Sequence, residues 1–410
     1  MWKPVITAPK DILRISEKIE EIAALLSLVD RKQTDFSLLN GTIGTAIFLA
    51  YYGRYRKSEF HLELAGELIT NTIDNLNDAG TLSLTYANGV SGVFWGIQHL
   101  IHEGFIEADA NELFTDVDEL IYKEMISQIK AENFDYLHGG LGMMLYLLKR
   151  YQPKDIGKLN DALQALTDKA LFGEEKKTAK WVSTVIIENT SCEVYNLSLS
   201  HGITSIINIV ARYLSEAEDT ANYTQHKLLL NAAINYLKEQ QNPPESTFLF
   251  PNYIFSKTNQ KAPSGRIAWC YGDLGMSIAL WKAGDFMKDE SLKQYSLYIL
   301  EHFHKQNAYK LTGVRDGALC HGTVGIAHIY HRLYNYTHIE EFKAMAAKYY
   351  ADTLDFASHL DGQAGYKATN GSNGFKDSMG LLEGVSGIGL SLISAISRNE
   401  PKWDECLLLS

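Results

Sequence analysis

LCHGTVGIA, residues 319–327, is the stretch on which the fold turns: a Gly-x-x-Gly box that opens a long apolar run. Six further copies follow the same plan: NGTIG (40–44), NGVSG (88–92), HGGLG (138–142), HGITS (201–205), YGDLG (271–275) and EGVSG (383–387). Only the fourth departs, with Ser205 in the last place. The first glycines stand at 41, 89, 139, 202, 272, 322 and 384, so the steps are 48, 50, 63, 70, 50 and 62 residues. A step of about 50 residues suits two α-helices and their connections at a rise of about 1.5 Å per residue.

Each box is followed by a run that is apolar over most of a helix circumference, such as TAIFLAYYG or MSIALWKAG. That composition belongs to a helix walled in on several sides. Between the boxes lie amphipathic segments, for example EFHLELAGELITNTIDNL (59–76) and EEFKAMAAKYYADTLDFASHL (340–360), which read as an outer layer with one wet face. All eight prolines (Pro4, Pro9, Pro153, Pro243, Pro244, Pro251, Pro263, Pro401) fall outside the inner helices, where a proline would break the hydrogen-bond ladder. The expected fold is all-α, a two-layered α/α toroid of about seven helix pairs, forming a single domain over residues 1–410. Short β-like excursions are expected near residues 176–199, 245–265 and 361–380. Their sequences, KWVSTVIIENTSCEVYNLSL (180–199), TFLFPNYIF (247–255) and the Gly/Asn-rich AGYKATNGSNGFKDSMG (364–380), each directly precede a box. They would overlie one rim of the ring, where substrate contacts are natural.

A chain of 410 residues is too long for one ordinary hydrophobic core, but repeats escape that ceiling because each unit packs on its neighbours. No apolar run reaches the roughly 18–20 residues of a membrane span, and the N-terminal stretch lacks an apolar signal core. A cytoplasmic protein is expected, with at most peripheral membrane association through partners. A net charge of −11 argues against nucleic acid as the partner and permits a basic peptide. The four cysteines (Cys192, Cys270, Cys320, Cys406) then read as thiols or ligands more naturally than as a disulfide frame.

Two of them carry the chemical signal. Cys270 and Cys320 both stand two places before the first glycine of their box, and His321 adjoins the second. Should the repeats close into a ring, two thiolates and an imidazole would meet as three zinc ligands with a fourth position open. Zinc would lower a guest thiol's pKa from about 8.5 and make it a nucleophile at neutral pH. The plain alternative is two buried structural cysteines. Cys192 and Cys406 lie outside any box and read as bystanders. The residue just before each first glycine is always polar: Asn40, Asn88, His138, His201, Tyr271, His321 and Glu383. A polar mouth follows. On the same rim lie Asp135, His201 and Arg266. The imidazole suits proton transfer, the carboxylate would fix its tautomer, and the guanidinium could steady an enolate or oxyanion. Each also has a structural reading: Asp135 as a cap, His201 as a loop hydrogen-bonder, Arg266 as an ion-pair partner. His328 and His331 are assigned to packing or the outer surface.

RIAWCYGDLG (266–275) and LCHGTVGIA, set in the series of boxes from about residue 39 to 393, resemble the lanthionine synthetase C-like proteins, the cyclases of lanthipeptide biosynthesis. The resemblance implies that Cys270, Cys320 and His321 hold one zinc ion and that Asp135, His201, Arg266 and Tyr271 are active-site residues. It implies Michael addition of a precursor-peptide Cys to dehydroalanine or dehydrobutyrine, giving lanthionine or methyllanthionine rings, with no redox cofactor or nucleotide. The implied partners are a dehydrated precursor with its leader, a separate dehydratase and an exporter; a stand-alone cyclase is expected. Three rivals remain: a LanC-like glutathione- or peptide-binding protein that makes no rings, a protein prenyltransferase-like zinc enzyme, and an α/α-toroid glycosidase using Glu132 and Asp135.

Overall fold

A computed structural model describes residues 2–30, 35–78, 83–218, 220, 222–263, 266–306, 313–371 and 374–410. Residues 264–265 and 372–373 of the expected excursions lie outside that set. Numbered in chain order, the odd helices are α1 (Pro9–Leu26), α3 (Glu59–Asp78), α5 (Ala110–Lys130), α7 (Asn160–Asp168), α9 (Tyr223–Glu239), α11 (Glu290–Gln306) and α13 (Glu340–Asp355). The even ones are α2 (Thr42–Arg56), α4 (Val90–His102), α6 (Gly140–Arg150), α8 (Ile203–Glu216), α10 (Asp273–Met287), α12 (Thr323–Thr337) and α14 (Val385–Ile396). Every even helix starts at a box, and the first glycine of the box is its N-cap residue in all seven cases.

The alternation follows from side-chain patterning. In α12 the whole stretch from Thr323 to Tyr334 is buried, whereas α1 buries only Ile15, Ile19, Ile22, Ala23 and Leu26, a stripe at helical spacing. Contacts divide the chain into two compact units, one of Met1–Phe114 with Val314–Leu407, the other of Thr115–Gly313 with Leu408–Ser410. In the first, α2 packs on α3, α12 on α13 and α14 on both α1 and α2. Trp2 there donates its indole N–H to the Ser394 carbonyl at 3.0 Å, and the N–H groups of Val5 and Ile6 bond Ala395 O, so the N-terminal segment is tied to α14. In the second unit, α8 packs on α6, α9 and α10, and α10 packs on α11.

A glycine cannot cap a helix with its side chain, so the free N–H groups of the first turn need another acceptor. The chain supplies it from upstream. The carbonyl six residues before the first glycine takes the first helical N–H at Asp35, Ser83, Asn133, Asp316 and Ser378. The short polar side chains of Asp35, Ser83, Asn196 and Asp316 hold that turn by accepting the N–H two residues on. Arg266 occupies the place in the fifth repeat, where such a turn cannot form. There Gly272 adopts φ +92° and ψ −176°, a region open only to glycine, and a Cβ would lie 1.9 Å from Arg266 O. Gly272→Ala is therefore expected to lose about 1–3 kcal/mol of unfolding free energy from backbone strain alone, measured by denaturant titration. In the fourth box Ser205 is buried and its hydroxyl donates to Gly202 O at 2.7 Å.

The long steps hold the strands. β1 (Leu171–Phe172) pairs antiparallel with β2 (Ala179–Lys180). β3 (Ser183–Ile187), β4 (Thr190–Asn196) and β5 (Tyr253–Phe255) form an antiparallel sheet in that order. Glu188 and Asn189 link β3 to β4 with φ of 47° and 64°, the left-handed pair of a tight two-residue hairpin turn. β6 (Ala368–Thr369) pairs with β7 (Phe375–Lys376) in the last long step.

His328 and His331 are both fully buried, so packing, and not the outer surface, is their place. His328 Nε2 lies 2.7 Å from Asp404 Oδ2, and Arg332 binds the same carboxylate through Nε at 2.6 Å. His331 bonds the Lys3 carbonyl at 2.8 Å. No helix among the described residues is long and apolar enough to cross a membrane.

Candidate active site

The boxes are stitched together in register. In the first unit, Cys320 N–H bonds Leu382 O, Leu382 N–H bonds Leu39 O, and Leu39 N–H bonds Ala87 O. In the second unit, Leu199 and Ser200 N–H groups bond Cys270 O. Apart from Leu199, each of these residues sits two places before its first glycine. The position that carries Cys270 and Cys320 is thus a structurally equivalent one, held by backbone bonds between neighbouring repeats. Next to it, the polar residues before each first glycine also meet: Asn40 donates to Asn88 at 2.8 Å in the first unit. In the second, the rings of His138 and His201 stack at 6.1 Å, and His201 and Tyr271 lie 6.0 Å apart.

Within the second unit this brings Asp135, His201 and Tyr271 together. His201 Nδ1 is 2.6 Å from Asp135 Oδ2. The other oxygen, Oδ1, accepts N–H groups from Leu137 at 2.7 Å and His138 at 2.8 Å. Asp135 is therefore turn former and histidine partner at once. Burial alone would push its pKa up, but the hydrogen bond and charge of His201 and the His138 amide hold it below the usual carboxylate value. Burial likewise works against a charged His201, yet Asp135, with a smaller push from the Cys270 sulfur, raises its pKa above the ordinary histidine value. An ionised carboxylate fixes the proton of the neutral imidazole on Nδ1 and leaves Nε2 for chemistry. His201 keeps 29% of its side chain accessible, enough for a substrate to reach it.

Asn196, at the end of β4, escaped the sequence reading. It is 1% exposed, donates Nδ2 to the Tyr271 hydroxyl at 3.2 Å and accepts Ser198 N–H on Oδ1 at 3.0 Å. Ser198 Oγ in turn accepts the His201 amide at 3.0 Å. One buried amide thus sets both Tyr271 and the backbone of His201. The signal was available: Asn196 is the fourth repeat's turn residue, six before the first glycine. Asn196→Ala is expected to cost about 1–3 kcal/mol of stability, read from the shift in denaturation midpoint at unchanged m-value.

A cleft of about 590 Å³ opens here, lined by residues 131–135 and 183–186 together with Asn196, His201 and Tyr271. Arg266 is half-buried and is not among the residues lining it. Glu132 pairs with Lys169 at 2.9 Å and Asp135 with His201 at 2.6 Å, so both carboxylates of the glycosidase alternative are already engaged by neighbouring side chains. Cys270 is buried in this unit. Cys320 and His321 are buried in the first unit, where His321 Nε2 lies 3.2 Å from Asp316 Oδ2. Asp316 also accepts Thr369 N–H at 2.8 Å and Ala318 N–H at 3.1 Å. Cys192 is half-buried on β4 and Cys406 is buried near the C-terminus.

A repeated helix pair, each copy opened by a glycine box and two carrying a cysteine two places ahead of it, defines an all-α, α/α-repeat class of protein. A family model described as "Lanthionine synthetase C-like protein" matches residues 32–408, and the chain belongs to that family. Among curated proteins it is 22% identical over 418 residues to the nisin biosynthesis protein NisC of Lactococcus lactis subsp. lactis, an alignment covering 96% of this chain and 95% of that one. Among solved structures it resembles nisin cyclase with a TM-score of 0.72 and 18% identity, covering 96% of this chain and 97% of the other. That likeness shows the fold, and with it the α/α-toroid class expected from the sequence.

Proposed function

We propose that this protein is a zinc-dependent lanthipeptide cyclase, which adds cysteine thiols of a dehydrated precursor peptide to dehydroalanine or dehydrobutyrine residues. The observation that carries this reading is the family match over residues 32–408, alongside the relationship to NisC. The donor set proposed for the metal is Cys270 and Cys320, which hold the same place ahead of their boxes, with His321 adjoining the second. Two buried thiols and an imidazole suit zinc and not the hard cations calcium or magnesium. The carboxylate of Asp316, 3.2 Å from His321 Nε2, is the kind of companion that usually orients a metal-binding histidine. Zinc on these residues would supply the positive charge that makes a peptide thiol acidic enough to react near neutral pH.

The rest falls to the chain's own residues. As the thiol gives up its proton, a sulfur lone pair forms the C–S bond to the β-carbon, and the double-bond pair moves toward the carbonyl as an enolate. His201, protonated and oriented by Asp135, donates a proton from Nε2 to the α-carbon. The proton released from sulfur restores the imidazolium through solvent, so nothing is oxidised or reduced and the peptide's mass is unchanged. Arg266 is assigned to the enolate charge, and Tyr271, held by Asn196, to shaping the site beside the imidazole. The substrate must arrive already dehydrated, so a dehydratase is the expected partner, with an exporter for the product and the cytoplasm as the compartment.

Incubation with a dehydrated, cysteine-containing peptide, then thiol alkylation and mass spectrometry, tests the reading. Loss of alkylatable thiol at constant mass is expected. Thiols that stay fully alkylatable would reject it.

A further inference from the structure

β3 has the sequence STVII, five residues of which four are β-branched, with neither charge nor proline. It ends the order β3-β4-β5, so one of its edges has no neighbour in that sheet among the described residues. Natural sheet edges are guarded by lysine, proline or a bulge. Here the pairing runs unbroken from Ser183↔Val194 to Ile187↔Thr190, and Ile186 is left 78% exposed. Such an edge invites another strand.

The cleft beside it says which one. Residues 183, 184, 185 and 186 all line that cleft. Successive side chains of a strand point to opposite faces, so four consecutive lining residues place the cleft along the strand's edge and not over one face. Of β4, only its last residue, Asn196, takes part. The cleft continues to His201, Tyr271 and Asp135. Its charged lining residues, Glu132 and Asp135, are engaged by Lys169 and His201, which favours an uncharged guest.

We propose that the free edge of β3 receives the peptide substrate as an added strand, and that the occupant is the segment flanking the dehydro residue under attack. This rests on the cyclase reading above. Dehydration turns serine and threonine into uncharged residues without hydroxyls and leaves the backbone N–H and C=O intact, so a ladder can still form. Main-chain pairing supplies affinity, and the exposed Thr184 and Ile186 side chains bias which neighbours fit. The five residues of β3 offer about 17 Å of edge.

The test uses the full-length, zinc-loaded protein and a labelled synthetic peptide of Val, Thr and Ala holding one dehydroalanine and one cysteine. A serine analogue, which cannot close a ring, serves for binding. N-methylating alternate residues removes donors from one edge of the guest strand only. One methylation register is expected to weaken binding about tenfold and the other to have little effect. Bound peptide is expected to slow amide exchange within β3, and Ile186→Lys, which puts a guarding charge on the edge, to weaken binding to a similar degree. Equal effects of the two registers, or unchanged exchange in Ser183–Ile187, would overturn the proposal. Ring closure of the cysteine peptide is scored separately: closure without register dependence discards the strand pairing alone, whereas no closure discards the cyclase reading.

Discussion

Cys270→Ala and Cys320→Ala are each expected to strip the protein of about one zinc per chain and to slow ring formation on the order of a thousandfold. The size follows from what the metal contributes. Polarisation by a bound cation is worth several kcal/mol of barrier, and about 4 kcal/mol is a factor of roughly a thousand. Both cysteines are buried, and each makes its backbone bond to a neighbouring repeat through main-chain atoms, Cys320 N–H to Leu382 O and Cys270 O from Ser200 N–H. Alanine preserves those bonds, so the fold should survive and the loss should be confined to metal and activity. Cys192→Ala, on a half-buried strand position, is the matched control and should keep both. Zinc is measured by atomic emission and activity by the alkylation assay. A Cys320→Ala protein that retained full zinc and full turnover would remove the thiolate from the scheme.

Asp135→Asn is expected to lower kcat by about 10²–10³ and to move the alkaline limb of the pH–rate profile to lower pH. The sign follows from the pair. Burial disfavours the imidazolium, and Asp135 more than offsets this, so His201 titrates above its ordinary value of about 6.5. As proton donor His201 acts in its charged form, so turnover falls as pH rises through that raised pKa. Removing the carboxylate leaves burial as the main influence, and the limb descends. His201→Asn should abolish the limb itself. The same couple contributes to stability over a bounded window: the His201 share is lost as pH rises through its raised pKa, and the Asp135 share as pH falls through its lowered one. An unchanged limb in Asp135→Asn would show that His201 is not the group it reports.

How much of this the sequence discloses varies with range. Helix starts are legible because the glycine and the apolar run after it are adjacent, and all seven boxes do cap helices. The equivalence of Cys270 and Cys320 is legible from counting, and the backbone bonds between repeats give it a physical basis. The turn six residues before the first glycine in six of the seven boxes was overlooked although Asp35, Ser83, Asn133, Asn196, Asp316 and Ser378 mark it. It becomes visible only when boxes are aligned and read upstream, and Asn196 was missed with it. Other features leave no local trace. β5 joins the sheet of β3 and β4 through pairs such as Val194↔Phe255, which no short-range pattern announces. Nor does anything near His328 point to Asp404, the carboxylate that makes it a buried structural group.

The claim on which everything rests is that two sulfurs and one imidazole hold a zinc ion that also accepts the substrate's sulfur. Zinc K-edge X-ray absorption on the purified protein tests it directly. Two sulfurs at about 2.3 Å and one imidazole nitrogen at about 2.0–2.1 Å are expected, with a third sulfur appearing when a cysteine peptide is added. A spectrum with no sulfur neighbours, or one that the peptide thiol leaves unchanged, would contradict the account.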